Sequence, residues 1–180
     1  MKVVAIVGMN GSGKSEVARL FEREGFRRIR FGDITDKEVA KRGLALTEEN
    51  ERKIREQLRK EYDMDAYAKL NAPLIDEALK TSDVVVDGLY SWSEYKYLKE
   101  YYGDDLVMVA VYSSPTTRQS RLPQRQVRPL TPQESSERDY NEIEKLEKGG
   151  PIAIADYTLI NEGSMQELEA QVQDVLTKLK

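Results

Sequence analysis

The segment Gly8-Met9-Asn10-Gly11-Ser12-Gly13-Lys14-Ser15 constrains this chain more than any other stretch. It follows a short apolar run, Val3 to Val7, and precedes an amphipathic run opening Glu16-Val17-Ala18-Arg19-Leu20. The order is strand, glycine-rich loop, helix, which is the context that the pattern G-x-x-x-x-G-K-[ST] requires. Glycines let the backbone turn so that successive N–H groups converge on a phosphate. The following helix adds its free N–H groups and the positive end of its dipole. Gly8, Asn10, Gly11, Ser12, Gly13, Lys14 and Ser15 are therefore the nucleotide-binding candidates. Lys14 is expected to reach the β- and γ-phosphates, and the Ser15 hydroxyl to ligate Mg²⁺. A ligand-free turn between strand and helix is the alternative.

The residue inventory narrows the chemistry. The chain has no Cys and no His. Thiolate nucleophiles, Cys metal sites, imidazole bases and the commonest zinc ligand are thus excluded. Catalysis must run on carboxylates, Lys, Arg, hydroxyls, backbone and a bound metal, and phosphoryl transfer needs little more than positioning and positive charge. The 180 residues suffice for one domain with a sizeable core. The net charge of −4 argues against nucleic acid as the main partner. No run of about 18 apolar residues is present, so no membrane span is expected. The first residues read directly as a strand rather than as a signal peptide, which makes the cytoplasm the expected location.

Beyond the loop, strands and helices alternate. Residues 2–7 read as a buried strand and 14–24 as a helix that Gly25 ends. Arg27 to Phe31 alternates polar and apolar residues, which suits an exposed, edge-like strand. Asp33 follows it after Gly32, at a strand C-terminal end, where open α/β sheets place ligands. From Ile34 to about Lys80 the chain is helical in pieces, with Thr47 as one N-cap. Asp83-Val84-Val85-Val86-Asp87-Gly88 is a strand buried on both faces. Ser91 caps a helix to about Tyr102, and Leu106 to Tyr112 is the fourth strand. Pro115 suits the first turn of the next helix. Thr131-Pro132 starts a further helix to about Lys148, and Gly149-Gly150-Pro151 is read as a break. Asp156 to Ile160 is the fifth strand, and Ser164 caps a last helix to Lys180. This alternation predicts an α/β fold with a mostly parallel sheet covered on both faces.

Four further groups carry chemistry. Asp87 ends an apolar strand and is expected to hold Mg²⁺ through Ser15 or a water, or else to be a turn residue; Gly88 beside it permits close approach of a ligand. Asp33 is either a base that orients a hydroxyl acceptor or, if the acceptor is a phosphate, a structural or Mg²⁺-associated carboxylate. Arg118, Arg121 and Arg125 are spaced to share a helical face, and with Arg128 and Arg138 they form either an arginine lid over a transferring phosphoryl group or a solvated charge run. Tyr90 and Trp92 are candidates to stack on a base, against the alternative of helix packing.

These residues together resemble P-loop kinases of the adenylate kinase and dephospho-coenzyme A kinase group, nearest to a small adenylate-kinase-related family known mainly from archaea. The resemblance rests on the Gly8–Ser15 loop, Gly32-Asp33, Val85-Val86-Asp87-Gly88, Arg121-Leu122 with Arg125 and Arg128, Glu137-Arg138-Asp139, and Ile154 to Gly163. It implies a three-layer α/β/α P-loop NTPase fold of nucleoside monophosphate kinase type, its five parallel strands ordered 2-3-1-4-5. It implies a single domain over 1–180, with a substrate-binding helical insertion at about 33–80 and a lid at about 116–138. It implies ATP and Mg²⁺, with Lys14, Ser15, Arg125, Arg128 and Arg138 on the phosphates, Arg121 among the cofactor-binding residues, and Asn161 and Gly163 beside the adenine. The acceptor is expected to be a small nucleotide-like molecule near Asp33, Asp87, Gly88, Tyr90 and Trp92. Two departures stand out. Relatives usually carry an arginine shortly after Gly-Asp and another after Asp-Gly, where this chain reads Ile34-Thr35-Asp36 and Leu89-Tyr90. The resemblance thus leaves the acceptor phosphate without two bidentate contacts. A dephospho-coenzyme A kinase, with Asp33 as base to a ribose hydroxyl, and a regulatory ATP-binding protein with slow hydrolysis are the competing expectations.

Overall fold

A computed structural model describes residues 1–125 and 129–179. Its centre is β1 (Val3–Val7), whose five side chains are all buried. Alternate strand residues face opposite sides of a sheet. Val3, Ala5 and Val7 accordingly enter one apolar cluster, and Val4 and Ile6 the other. Each of the valines and Ile6 contributes about 1.5–3 kcal/mol relative to exposure. That makes β1 the stiffest available support for the loop it feeds.

The sheet has five strands in the order β2-β3-β1-β4-β5, and all four pairings are parallel. The outer strands are β2 (Arg27–Arg30), which lies at the edge as its alternation predicts, and β5 (Tyr157–Ile160); β3 (Val84–Asp87) and β4 (Leu106–Tyr112) flank β1. One face is covered by α1 (Lys14–Arg23) and α9 (Met165–Leu179), whose Val17, Phe21, Leu168 and Val172 pack on Val4 and Ile6. The other face carries α4 (Ala66–Ala78) and α5 (Trp92–Tyr102). Before α4 come α2 (Asp33–Lys41) and α3 (Glu48–Tyr62), so the insertion after the second strand is three helices. Thr47 caps α3 through the Asn50 N–H, and Ser91 caps α5 through the Glu94 N–H.

After β4 come α6 (Pro115–Arg121), then α7 (Pro132–Glu144), which opens with a capping box between Thr131 and Glu134. Here two expectations need correction. The helix after Thr131 stops at Glu144 rather than near Lys148, because the chain reverses at Glu147 with φ +50. Gly149-Gly150-Pro151 is the start of a short helix, α8 (Gly149–Ala153), rather than a simple break. Proline costs little in a first helical turn, where its missing N–H has no intrahelical acceptor. The fifth strand starts one residue later than expected, since the Asp156 carboxylate accepts from the Met108 N–H at 2.7 Å. Among the described residues no helix is long and apolar enough to cross a membrane.

Candidate active site

The C-terminal ends of β1, β3 and β2 converge on one edge of the sheet, and the glycine-rich loop lies there. Gly8 and Gly13 have φ of +152° and +100°. A Cβ at Gly8 would sit 2.4 Å from the Val111 carbonyl oxygen, and one at Gly13 would sit 2.2 Å from Asn161 Nδ2. Conformation and space both demand glycine at these positions. The Lys14 ammonium donates to the Met9 carbonyl at 2.9 Å, folding back across the loop.

The loop is braced from behind by a polar layer. Arg118 Nη1 donates to the Asn10 carbonyl at 3.0 Å and Nε to the Ser113 carbonyl at 3.2 Å, while a 2.8 Å ion pair joins the guanidinium to Asp139. Asn161 Nδ2 donates to the Ser12 carbonyl at 2.8 Å. Arg121 Nη1 reaches the Asn161 carbonyl at 3.0 Å and Ser113 Oγ at 3.1 Å. Arg125 Nη1 reaches Asn10 Oδ1 at 3.3 Å. Within the loop, the buried Asn10 Nδ2 and Ser12 Oγ have no hydrogen-bond partner among the described residues. Two buried polar groups left over in a loop of this shape are what a phosphate would satisfy.

Asp87 closes the metal side. Ser15 Oγ donates to Asp87 Oδ1 at 3.2 Å, across the β1–β3 pairing. Arg28 holds the other carboxylate oxygen with Nε at 3.2 Å and Nη2 at 2.5 Å. A hydroxyl and a carboxylate side by side are oxygen donors of the kind Mg²⁺ takes. Among the described residues no group of three or more acidic side chains forms a self-sufficient metal cage. Magnesium there would therefore lean on substrate phosphates and water, as it does in phosphoryl-transfer sites.

A cluster of cations faces the loop. Lys148 is buried and pairs with the Glu142 carboxylate at 2.7 Å, with its Nζ 5.5 Å from the centroid of the Tyr90 ring. Arg138 Nε donates to the other Glu142 oxygen at 3.2 Å, and its Nη1 lies 3.9 Å from Glu48. Burial of the Lys14 ammonium, and then the nearby charge of Lys148, lower its pKa to about 7; Arg138 acts in the same sense, against Glu142 and Asp87. Burial by itself would raise Glu142, but Lys148, Arg138 and Lys14 bring it down to about 2. Lys14, Lys148 and Arg138 thus gather beside the loop, interleaved with Glu142, Asp87 and Glu48, and preorganised cations of this kind suit a phosphoryl group.

The acceptor side is built from β2, α2 and the start of α5. Asp33 opens α2 and shares the Arg30 guanidinium with Asp36: Nη1 stands 2.7 Å from Asp33 Oδ1 and 3.0 Å from Asp36 Oδ2. A Cβ at Gly32 or at Gly88 would come 3.2 Å or 3.1 Å from the Tyr90 hydroxyl, so that hydroxyl lies against both glycine backbones. Burial, then Asp87, raise the Tyr90 phenol and keep it protonated as a donor. The Tyr90 ring meets Tyr67 edge-on at 5.7 Å. Trp92 stacks on Tyr95 at 5.0 Å and lies tight against Gly150, where a Cβ would be 2.7 Å from its ring. Its position is that of the packing alternative.

Of the sequence candidates, the loop residues, Asp87, Gly88, Asp33, Tyr90 and Arg138 line this edge. Arg125 and Asn161 touch the loop at Asn10 and Ser12, and Arg121 bonds Ser113 and Asn161 beside it. Gly163 sits just ahead of α9, where a side chain would collide with the Glu167 carboxylate. Arg128 lies outside the described residues. Arg28, Arg30 and Lys148 escaped the sequence reading of the site, and Arg118, read as a lid candidate or part of a solvated run, braces the loop through Asn10. Arg28 and Arg30 looked like the exposed face of an edge strand, Arg118 shared its spacing with a solvated run, and Lys148 lay beside an apparent break. The one available signal was alternation: Arg28 and Arg30 flank Ile29 on a strand that must end beside Asp87.

Comparison with known proteins agrees with this geometry. An AAA domain family matches residues 4–147. A UPF0200 protein of Thermococcus kodakarensis is 39% identical over 181 residues, covering 98% of this chain and 97% of that protein. A UPF0200 protein of Methanocaldococcus jannaschii is 32% identical over 182 residues, covering 99% and 91%. Among solved structures, a gluconokinase from Sinorhizobium meliloti superposes with a TM-score of 0.60 at 18% identity, covering 99% of this chain and 95% of that one. A shikimate kinase from Bacteroides thetaiotaomicron superposes with a TM-score of 0.62 at 15% identity, covering 99% and 98%. At such identities these likenesses establish the fold, an α/β P-loop NTPase fold shared with small-molecule kinases.

Proposed function

The chain belongs to the UPF0200 family and carries its P-loop in a match to the AAA domain family, and on that footing we propose that it is an ATP- and Mg²⁺-dependent phosphotransferase. It moves the γ-phosphoryl group to a small acceptor of nucleotide type. The observation that carries the reading is the Ser15–Asp87 hydrogen bond at the mouth of a glycine loop whose lysine is coupled to Lys148 and Arg138.

In this reading the loop backbone, Asn10, Ser12 and Lys14 bind the phosphates. Ser15 and Asp87 would hold Mg²⁺, which would supply charge neutralisation at the phosphates. Lys14 leaves the Met9 carbonyl for the phosphate oxygens, since a charge-assisted contact outweighs a neutral one. Arg138 and Lys148 face the transferring group, where preorganised cations stabilise developing charge without reorganising. Arg118, Arg121, Asn161 and Asp139 keep the loop in place. The lid expected at about 116–138, of which residues 126–128 lie outside the described residues, would close over the donor, and residues 33–80 would enclose the acceptor. The dependence on Lys14 tests the assignment. Acceptor-stimulated release of ADP from Mg-ATP should fall to background in Lys14→Ala. Undiminished turnover in that variant would remove the loop from the mechanism.

A further inference from the structure

The carboxylate on the metal side of the site already has a cation of its own. Along β3, Val85 and Asp87 alternate with Val86, and in the parallel pairing with β2 Arg28 lies beside Val85. Alternate strand residues share a face, so Arg28, Val85 and Asp87 stand on the side that α1 covers. Two groups of α1 meet them there. The Ser15 hydroxyl lies 3.2 Å from Asp87 Oδ1, and the Glu22 carboxylate lies 3.7 Å from Arg28 Nη1. The Arg28 guanidinium closes on Asp87 Oδ2 with two N–H groups, at 3.2 and 2.5 Å. The two oxygens of Asp87 are thus divided: Oδ1 belongs to the loop side with Ser15, and Oδ2 is taken by the edge strand.

The Asp87 side chain is 5% exposed and that of Arg28 is 19% exposed. A carboxylate so deeply buried is costly unless a cation or hydrogen bonds compensate it. Lys14 and Arg19 lie within electrostatic range of Asp87, but Lys14 bonds the Met9 carbonyl and Arg19 bonds Glu16. Among the described residues, Arg28 is the cation that forms an ion pair with Asp87. Its bidentate grip has two effects. It fixes the direction in which Oδ1 points, because a planar fork aligns a carboxylate and a point charge does not. It also places a positive charge beside the carboxylate, which opposes the approach of a second cation to Oδ1. One hydroxyl and one half-neutralised carboxylate are a weak donor set for a divalent ion that takes six oxygens.

We propose that Arg28 is a positioning residue that holds Asp87 Oδ1 beside Ser15 and keeps the protein's own affinity for a divalent cation low, so that the metal enters and leaves only with the phosphates of a nucleotide. The proposal rests on the phosphotransferase reading above and specifies how its metal is controlled. The charge of Arg28 sets the affinity, and its fork sets the alignment.

The test titrates Mn²⁺ into the protein with and without ADP and follows the free ion by electron paramagnetic resonance. Without nucleotide, the native protein should leave Mn²⁺ free. Arg28→Gln removes the charge and keeps an N–H for Oδ2. It should bind Mn²⁺ about tenfold more tightly than the native protein, a change of about 1.4 kcal/mol, and adding Asp87→Asn should abolish that gain. Arg28→Lys keeps the charge and should stay as weak as the native protein without ADP. With ADP it should bind Mn²⁺ less well than the native protein, because the fork is gone. Thermal unfolding checks that each variant folds, and the native comparison needs no variant. A native protein that binds Mn²⁺ equally well with and without ADP overturns the proposal alone. Failure to hold Mn²⁺ even with ADP overturns the metal site and the proposal with it. A folded Arg28→Gln with unchanged affinity, or an Arg28→Lys that gains affinity as Arg28→Gln does, also overturns the proposal.

Discussion

Lys148 Nζ lies 2.7 Å from Glu142 Oε2, and both side chains are buried where the chain reverses after α7. The pair ties the residue that precedes α8 to α7 beside the glycine-rich loop. It places one positive charge where it raises the electrostatic cost of charging Lys14.

Breaking this pair on one side should be expensive. Lys148→Met leaves Glu142 with Arg138 alone, and loss of one partner of a buried pair typically costs about 3–5 kcal/mol. Lys148→Met with Glu142→Leu should recover a large part of that loss, because the uncompensated charge goes too. Urea denaturation of the two variants measures the difference. Equal destabilisation in both would show that the charges of the pair do not govern its contribution.

Nucleotide binding should take up a proton. In the free protein Lys14 titrates at about 7, depressed by burial and by Lys148. Phosphate oxygens favour the charged ammonium and return its pKa toward the ordinary lysine value of about 10.4. Between these values the complex holds a proton that the free protein lacks. Calorimetry in buffers of different ionisation heat should show uptake approaching one proton per nucleotide at pH 8 and little at pH 6. Affinity should fall as pH rises above 7. Equal uptake at the two pH values would contradict the coupling.

Arg118 should matter to the loop without touching a ligand. Its side chain joins Asn10, Ser113 and Asp139, and only 5% of it is exposed. Arg118→Ala should destabilise by about 3 kcal/mol through the stranded Asp139 and the unbonded Asn10 carbonyl. It should also weaken nucleotide binding by slackening the loop. Arg118→Lys should recover little, because one ammonium cannot reproduce the fork. Full recovery of both readouts by lysine would assign Arg118 a simple charge role.

What could be read from the sequence, and what could not, divides along contact range. The loop, the strand before it and the helix after it are local, so Gly8 to Ser15 announced themselves. The strand order came with the resemblance, and Asp87 was legible because an acid ending a valine strand is an unusual local event. Arg28 meets Asp87 across 59 residues and Arg118 meets Asn10 across 108, and no periodicity encodes such meetings. Asn161 was assigned to the adenine by resemblance, and the fold turns its side chain onto the Ser12 carbonyl. Lys148 was hidden because positive φ at Glu147 reverses the chain just before it.

Glu94 should give the fold a pH signature. It is fully buried; burial raises its pKa to about 7, against the pull of Arg59 and of the Tyr90 and Ser91 N–H groups. A carboxyl with a raised folded-state pKa adds stability that is complete below its unfolded value, about 4.3, and lost as pH rises through 7. Glu94→Gln keeps an acceptor for the Tyr90 N–H and removes the titration. The difference in Tm between variant and native protein should therefore shift in favour of the variant between pH 4.5 and pH 7. A pH-independent difference would mean that Glu94 does not titrate in that range.

The central claim is that the Gly8–Ser15 loop delivers a γ-phosphoryl group to a small molecule. Phosphorus NMR of the protein with Mg-ATP and a pool of small alcohols and nucleosides reads this directly. The account predicts ADP together with a new phosphomonoester resonance, both absent with Lys14→Ala. ADP and inorganic phosphate alone, formed at the same rate with and without the pool, would contradict it.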